Sequence, residues 1–252
     1  IYNNCRNLHT HHILSERNNF MNIVLIDVIN EFVEMFKPEC CFKKPFKLVI
    51  ENNVLDYMKN DDEEYYKREE EWTAGAYGML YENSKGEDAI IISKNQDLVN
   101  LKVTTIHEFV HLCDYRKYGE LHPCDSLRKL QEDDTFRYWT EFHAPYMAYK
   151  YYIATTPNLN AQMEAINLIR HLQDKLLCKK YSYTNCAIYQ SVHTYGEYIA
   201  LYDSYPDKIN AHPINFYVND KFKEIYEFLF THTTIDKFLK DYQRFKKLIN
   251  SI

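Results

Sequence analysis

The sequence predicts an α+β fold that is mostly helical, with one small sheet in the first half of the chain. Three observations predict it. Glycine occurs only 5 times in 252 residues, against a usual ~7%, too few for the turns of a many-stranded β protein or for a Gly-rich phosphate loop. The β-prone runs all fall between residues 46 and 94. From residue 97 almost to the end, apolar residues recur at three- and four-residue spacing, the period of a helix with one buried face.

Each element follows from its own pattern. Residues 18–37 carry Phe20, Ile23, Val24, Ile26, Ile29, Phe32 and Val33, an amphipathic helix that ends before Pro38. Residues 46–50 form a short β-prone run. The run KNDDEEYYKREEEW at 59–72 reads as a solvated face and is assigned no chemistry. Residues 76–81 and 89–93 are strand-like and flank NSKGED, which has the composition of a hairpin loop. A helix is expected from Asp97 to Lys117, with Gly119 as its stop. A second is expected from Ser126 to Ile153, interrupted at Pro145. Helical spacing returns at 160–178, 186–202, 220–230 and 235–249.

Charge and composition narrow the function. With 30 Lys and Arg against 36 Asp and Glu, the formal net charge is −6, which provides no electrostatic footprint for nucleic acid. No apolar run reaches the ~18 residues of a membrane span, so no membrane partner is expected. The seven cysteines are odd in number and lack CxxC pairing; they read as reduced thiols and point to a cytoplasmic location. The chain starts at Ile1 with neither an initiator Met nor a signal-like apolar segment, so a removed signal peptide stays open.

One string carries chemistry: Thr105-Ile106-His107-Glu108-Phe109-Val110-His111-Leu112. It matches HExxH within a helical pattern. At 3.6 residues per turn His107 and His111 share a face, one turn apart, where two imidazoles reach one metal ion. Glu108 stands ~100° further round the helix, beside the open metal position, where it can take a proton from water.

On this motif, placed after a small sheet, the chain resembles the zincin metallopeptidases. The resemblance spans about residues 18–150 and implies a zincin-like core: a small mixed or antiparallel sheet beside the motif helix. It further implies one Zn²⁺ ion and a peptide or protein substrate. Asp114 and Lys117 stand where the metzincin clan has Gly and its third ligand, which excludes that clan. Gluzincins draw the third ligand from a Glu on a following helix, and here Glu141 takes that place, similar to the compact ImmA/IrrE-type peptidases. His122, Cys124, Asp125, Asp133, Asp134 and His143 are the rival ligands, with His122 the foremost. Larger gluzincins carry an Asp four residues after the ligand Glu to orient a metal-bound His; here that residue is Pro145. Zincins also often stabilise the oxyanion with a downstream His or Tyr, a role that falls on His193 or Tyr195, although Tyr195 also lies in register with Ile188, Val192 and Ile199 as a core residue. In the same segment the mid-helix Gly196 suggests close approach of another backbone.

The expected organisation is a catalytic core over residues 1–157 and a helical C-terminal subdomain over 158–252. The expected activity is zinc-dependent peptide hydrolysis with His107, His111 and Glu141 as ligands and Glu108 as general base. The alternative is a zincin-like binding or regulatory module with a vestigial or structural metal site.

Overall fold

The computed structural model describes residues 19–38, 44–73, 75–122, 124, 126–177, 184–209 and 220–251. It is mostly helical with one three-stranded mixed sheet. The chain divides into two compact units, Ile1–Leu130 and Gln131–Ile252. The division falls before Glu141, whereas the sequence places it at 157, because the helix carrying Glu141 makes its main packing partner within the second unit.

In the first unit the elements run α1 (Asn19–Phe36), β1 (Lys47–Glu51), α2 (Val54–Asp61), α3 (Glu63–Thr73), β2 (Gly78–Glu82), β3 (Asp88–Ser93) and α4 (Leu98–Leu121). The strand order is β1-β3-β2, with β1 parallel and β2 antiparallel to β3. All six residues of the central strand β3 are buried. That is why Ala89-Ile90-Ile91-Ile92 is a continuous apolar run with no alternation. One face of the sheet packs Tyr81, Ala89 and Ile91 against Val54 and Met58 of α2, with Tyr65 and Tyr66 of α3 alongside. Alternate residues, including Leu80, Ile90 and Ile92, turn to the opposite face, and α4 packs across β2 and β3. Phe109 of α4 meets Phe32 and Phe46 at ring-centroid distances of 6.2 and 5.9 Å.

Several buried polar groups in this unit are paired, which offsets their desolvation. Asp88, at the start of β3, holds Arg116 of α4 at 2.8 Å and Lys44 at 2.9 Å. Glu82 accepts from Ser126 Oγ and the Arg128 amide. Arg128 itself reaches Asp62, the Glu82 carbonyl and the Tyr81 hydroxyl. The charged run at 59–72 resolves into the end of α2 and the length of α3, broken at Asp62, whose carboxylate caps the Tyr65 amide.

The second unit contains α6 (Asp134–Thr155), α7 (Ala161–Leu177), α8 (Thr184–Ser204), α9 (Asp220–Thr231), α10 (Ile235–Lys240) and α11 (Tyr242–Asn250); the short α5 (Leu127–Gln131) precedes it. Helix α8 packs on α6, α7 and α9. Trp139 stacks on Phe238 at 4.5 Å and donates its indole N–H to the His232 carbonyl. Several tyrosines act here as helix cross-links, apolar in body and hydrogen-bonded at the tip. Tyr226 donates to Ser191, Tyr146 to Asp203 and Tyr242 to Asp133.

Three boundaries differ from the sequence expectation. Helix α4 runs through Gly119 to Leu121, where a Cβ at Gly119 would stand 3.0 Å from Leu130. The break expected at Pro145 lies instead at 132–133, where the Asp133 carboxylate caps the Phe136 amide and starts α6 afresh. The final stripe splits at Asp241 into α10 and α11. No helix among the described residues is long and apolar enough to cross a membrane.

Gly196 in α8 is where the backbones of α8 and α6 meet, as its mid-helix position suggests: a Cβ there would stand 2.3 Å from the Phe142 carbonyl oxygen and 3.1 Å from the Tyr146 nitrogen. Backbone cannot rotate aside as a side chain can. Gly196→Ala is therefore expected to lower the unfolding free energy by about 1–3 kcal/mol, measured by denaturant titration; an unchanged midpoint would show that α8 shifts freely on α6.

Candidate metal centre

The motif lies in the middle of α4, a helix whose start is well defined. Asp97 caps it, accepting from the Asn100 amide at 2.9 Å, and Thr104 bonds back to Gln96 in the preceding turn. Arg116, nine residues beyond His107, anchors the other end to Asp88. The motif is thus held between a cap and an ion pair, on a helix packed against the sheet.

His107 and His111 meet as the four-residue spacing requires. Their Nε2 atoms are 2.9 Å apart, and the rings are edge to face with centroids at 4.5 Å and an interplanar angle of 83°. Two nitrogens each ~2.0–2.1 Å from one ion are never more than ~4.2 Å apart, so the pair fits a shared metal. Desolvation, reinforced by repulsion from His111, holds the proton affinity of His107 well below the ordinary histidine range. A neutral imidazole is the form that ligates.

Glu108 is buried, with Oε1 3.9 Å from His107 Nε2. It presses on the sheet at Gly78, the first residue of β2. A Cβ at Gly78 would stand 2.8 Å from Glu108 Cγ, 2.9 Å from its Oε1 and 2.6 Å from Thr104 Cγ2. Glycine weakens a strand and is kept where something approaches closely; here that is the Glu108 carboxylate. Nothing in the spacing of the sequence couples residue 78 to residue 108, although a glycine opening a strand just before the motif was the available signal.

Glu141 of α6 is held in the second unit by Tyr189 of α8, whose hydroxyl donates to Oε1 at 2.7 Å. Burial pushes the Glu141 carboxyl above the ordinary Glu range, while that hydrogen bond and the charge of Arg137 oppose the shift. Among the described residues, His107, His111 and Glu141 are the one group of potential ligands that could hold a metal ion.

The rival ligands lie otherwise engaged. His122 is exposed at the C-cap of α4, its ring 4.3 Å from that of Tyr118. His143 stacks on Trp139. Asp133 caps α6 and accepts from Tyr242, Asp134 pairs with Arg137, and the Cys124 thiol is directed to the Ser126 carbonyl. Asp125 lies outside the described residues.

Of the two expected oxyanion stabilisers, His193 is half-exposed, with Nδ1 3.8 Å from Glu197. Tyr195 departs from that expectation. It is fully buried, stacked on Tyr226 at 4.3 Å, and its hydroxyl donates to the Tyr226 carbonyl. The register of Tyr195 with Val192 and Ile199 places it in the core.

No protein-family model, curated protein or solved structure matches the chain. The functional reading therefore rests on the side chains themselves.

The tight seat of Glu108 yields a direct expectation. Gly78→Ala drives a methyl group into Glu108 and Thr104, so stability should fall by about 1–3 kcal/mol, with a larger loss for Gly78→Val. Thermal unfolding of the two variants checks this, and a neutral Gly78→Ala would mean that Glu108 is not confined by β2.

Proposed function

We propose that the protein is a zinc-dependent metallopeptidase with a gluzincin-like site. His107, His111 and Glu141 hold the ion, and Glu108 is the general base. The observation that carries the reading is the HExxH geometry itself: two imidazole nitrogens 2.9 Å apart on one helix face, with a buried carboxylate 3.9 Å from one of them. A pair of neutral histidines and a carboxylate is a borderline-soft donor set suited to zinc. When bound, zinc supplies Lewis acidity that polarises a scissile carbonyl and lowers the pKa of water.

The protein's own groups then divide the work. His107 is kept neutral by burial and offers a lone pair at physiological pH. Glu108 takes a proton from the attacking water and returns it to the leaving amine. Its confinement at Gly78 limits the carboxylate to a narrow range of positions, which favours proton transfer along one line. The small mixed sheet beside the motif helix supports the zincin-like reading of the first unit, and a peptide is the substrate class that the resemblance implies.

Glu108→Gln is the test, since it keeps the size of the side chain and removes the base. Zinc content should stay at the wild-type level while turnover of a peptide library falls by ~10²–10⁴-fold. Cleavage at the wild-type rate by Glu108→Gln would refute the mechanism. Stoichiometric zinc in a protein with no peptidase activity would favour the regulatory module with a structural metal.

A further inference from the structure

We propose that Tyr189 is the positioning residue of the metal centre: it fixes the carboxylate of Glu141 in the orientation in which Glu141 serves as third ligand. The proposal rests on the reading of Glu141 as a ligand and assigns it a partner that the sequence did not reveal.

A buried carboxylate ligand has a problem that a histidine ligand does not. It turns about its terminal bond and has two equivalent oxygens, so a second group that holds one oxygen limits the orientations in which it meets an ion. Tyr189 of α8 is that group. Its hydroxyl donates to Glu141 Oε1 at 2.7 Å, which holds one of the two carboxylate oxygens in place.

The chemistry of the donor matters. A phenolic O–H is neutral at physiological pH, so it orients the carboxylate and leaves its negative charge to attract a cation. Lysine or arginine in the same place would neutralise that charge and compete with the ion. The ring is itself held: Tyr138 of α6 meets it edge to face at 5.9 Å, and the Arg137 guanidinium lies 5.9 Å from its centroid. The backbone beneath it is fixed as well. Gly196 lies seven residues after Tyr189, two turns along the same helix face, and there the backbones of α8 and α6 meet directly. Tyr189 thus reaches Glu141 from a helix whose distance to α6 is set by contact of main chains.

The test is zinc affinity, measured by competition with a chromophoric chelator, for wild type, Tyr189→Phe, Glu141→Ala and the double variant. Tyr189→Phe removes one oxygen and keeps the ring, and circular dichroism confirms the fold. Tyr189→Phe is expected to weaken zinc binding 10–100-fold, as loss of a ligand-orienting partner does. In the Glu141→Ala background the same change is expected to have no further effect. Wild-type affinity in Tyr189→Phe overturns the proposal, and so does an equal loss in both backgrounds, which would place the action of Tyr189 elsewhere. If wild type itself binds no zinc, the metal reading falls and takes this inference with it; if Glu141→Ala binds as wild type does, only the role of Glu141 and its partner falls.

Discussion

The close approach of β2 to α4 at Gly78 is the constraint on which the arrangement of the motif depends. A strand and a helix normally keep a side-chain layer between them. Here the strand opens on a residue without a side chain, and the space is taken by Glu108 and Thr104. That places a carboxylate, which would otherwise sample water, in a buried position next to His107. Burying an ionisable group is costly, and the cost is sustained by the apolar packing around it. β3 is buried on both faces, and each fully buried Ile or Phe contributes roughly 1.5–3 kcal/mol relative to an exposed one.

The same logic governs the rest of α4. Asp88 and Arg116 form a largely buried pair, and such a pair adds little net stability. Removing either partner strands the other, however, so it fixes one position of the helix along the sheet more strongly than apolar contacts do. With Asp97 capping the start, the helix is held in register at both ends. The two histidines then converge by geometry alone. In the second unit Gly196 has the corresponding part: it brings α8 onto the backbone of α6, and Tyr189 reaches Glu141 from that helix.

Much of this was legible in the sequence, for identifiable reasons. The motif helix leaves a local periodicity, the buried strand a continuous apolar run, and the hairpin a loop of turn-forming composition. Gly196 was legible too, since a glycine in the middle of a helical stripe needs a packing reason. Pro145 and Gly119 misled because their local rules were overridden. α6 continues through the proline, and Gly119 lies within the last turn of α4 rather than after it. The actual break before α6 is set by the capping carboxylate of Asp133, a weaker signal than proline. Tyr189 was not legible at all. It is one of 23 tyrosines, and its link to Glu141 spans 48 residues and depends on how two helices pack. Part of the excess of tyrosine becomes intelligible only in three dimensions, as apolar bodies in a helical core whose hydroxyls tie one helix to the next.

The most direct measurement is the metal content of the purified protein, by native mass spectrometry and elemental analysis, for wild type, His111→Ala and Glu141→Ala. The account predicts one zinc per chain in wild type, none retained by His111→Ala, and a markedly reduced occupancy in Glu141→Ala. Wild-type protein that takes up no zinc from a stoichiometric solution at neutral pH, or a His111→Ala variant that still holds one ion per chain, would contradict it.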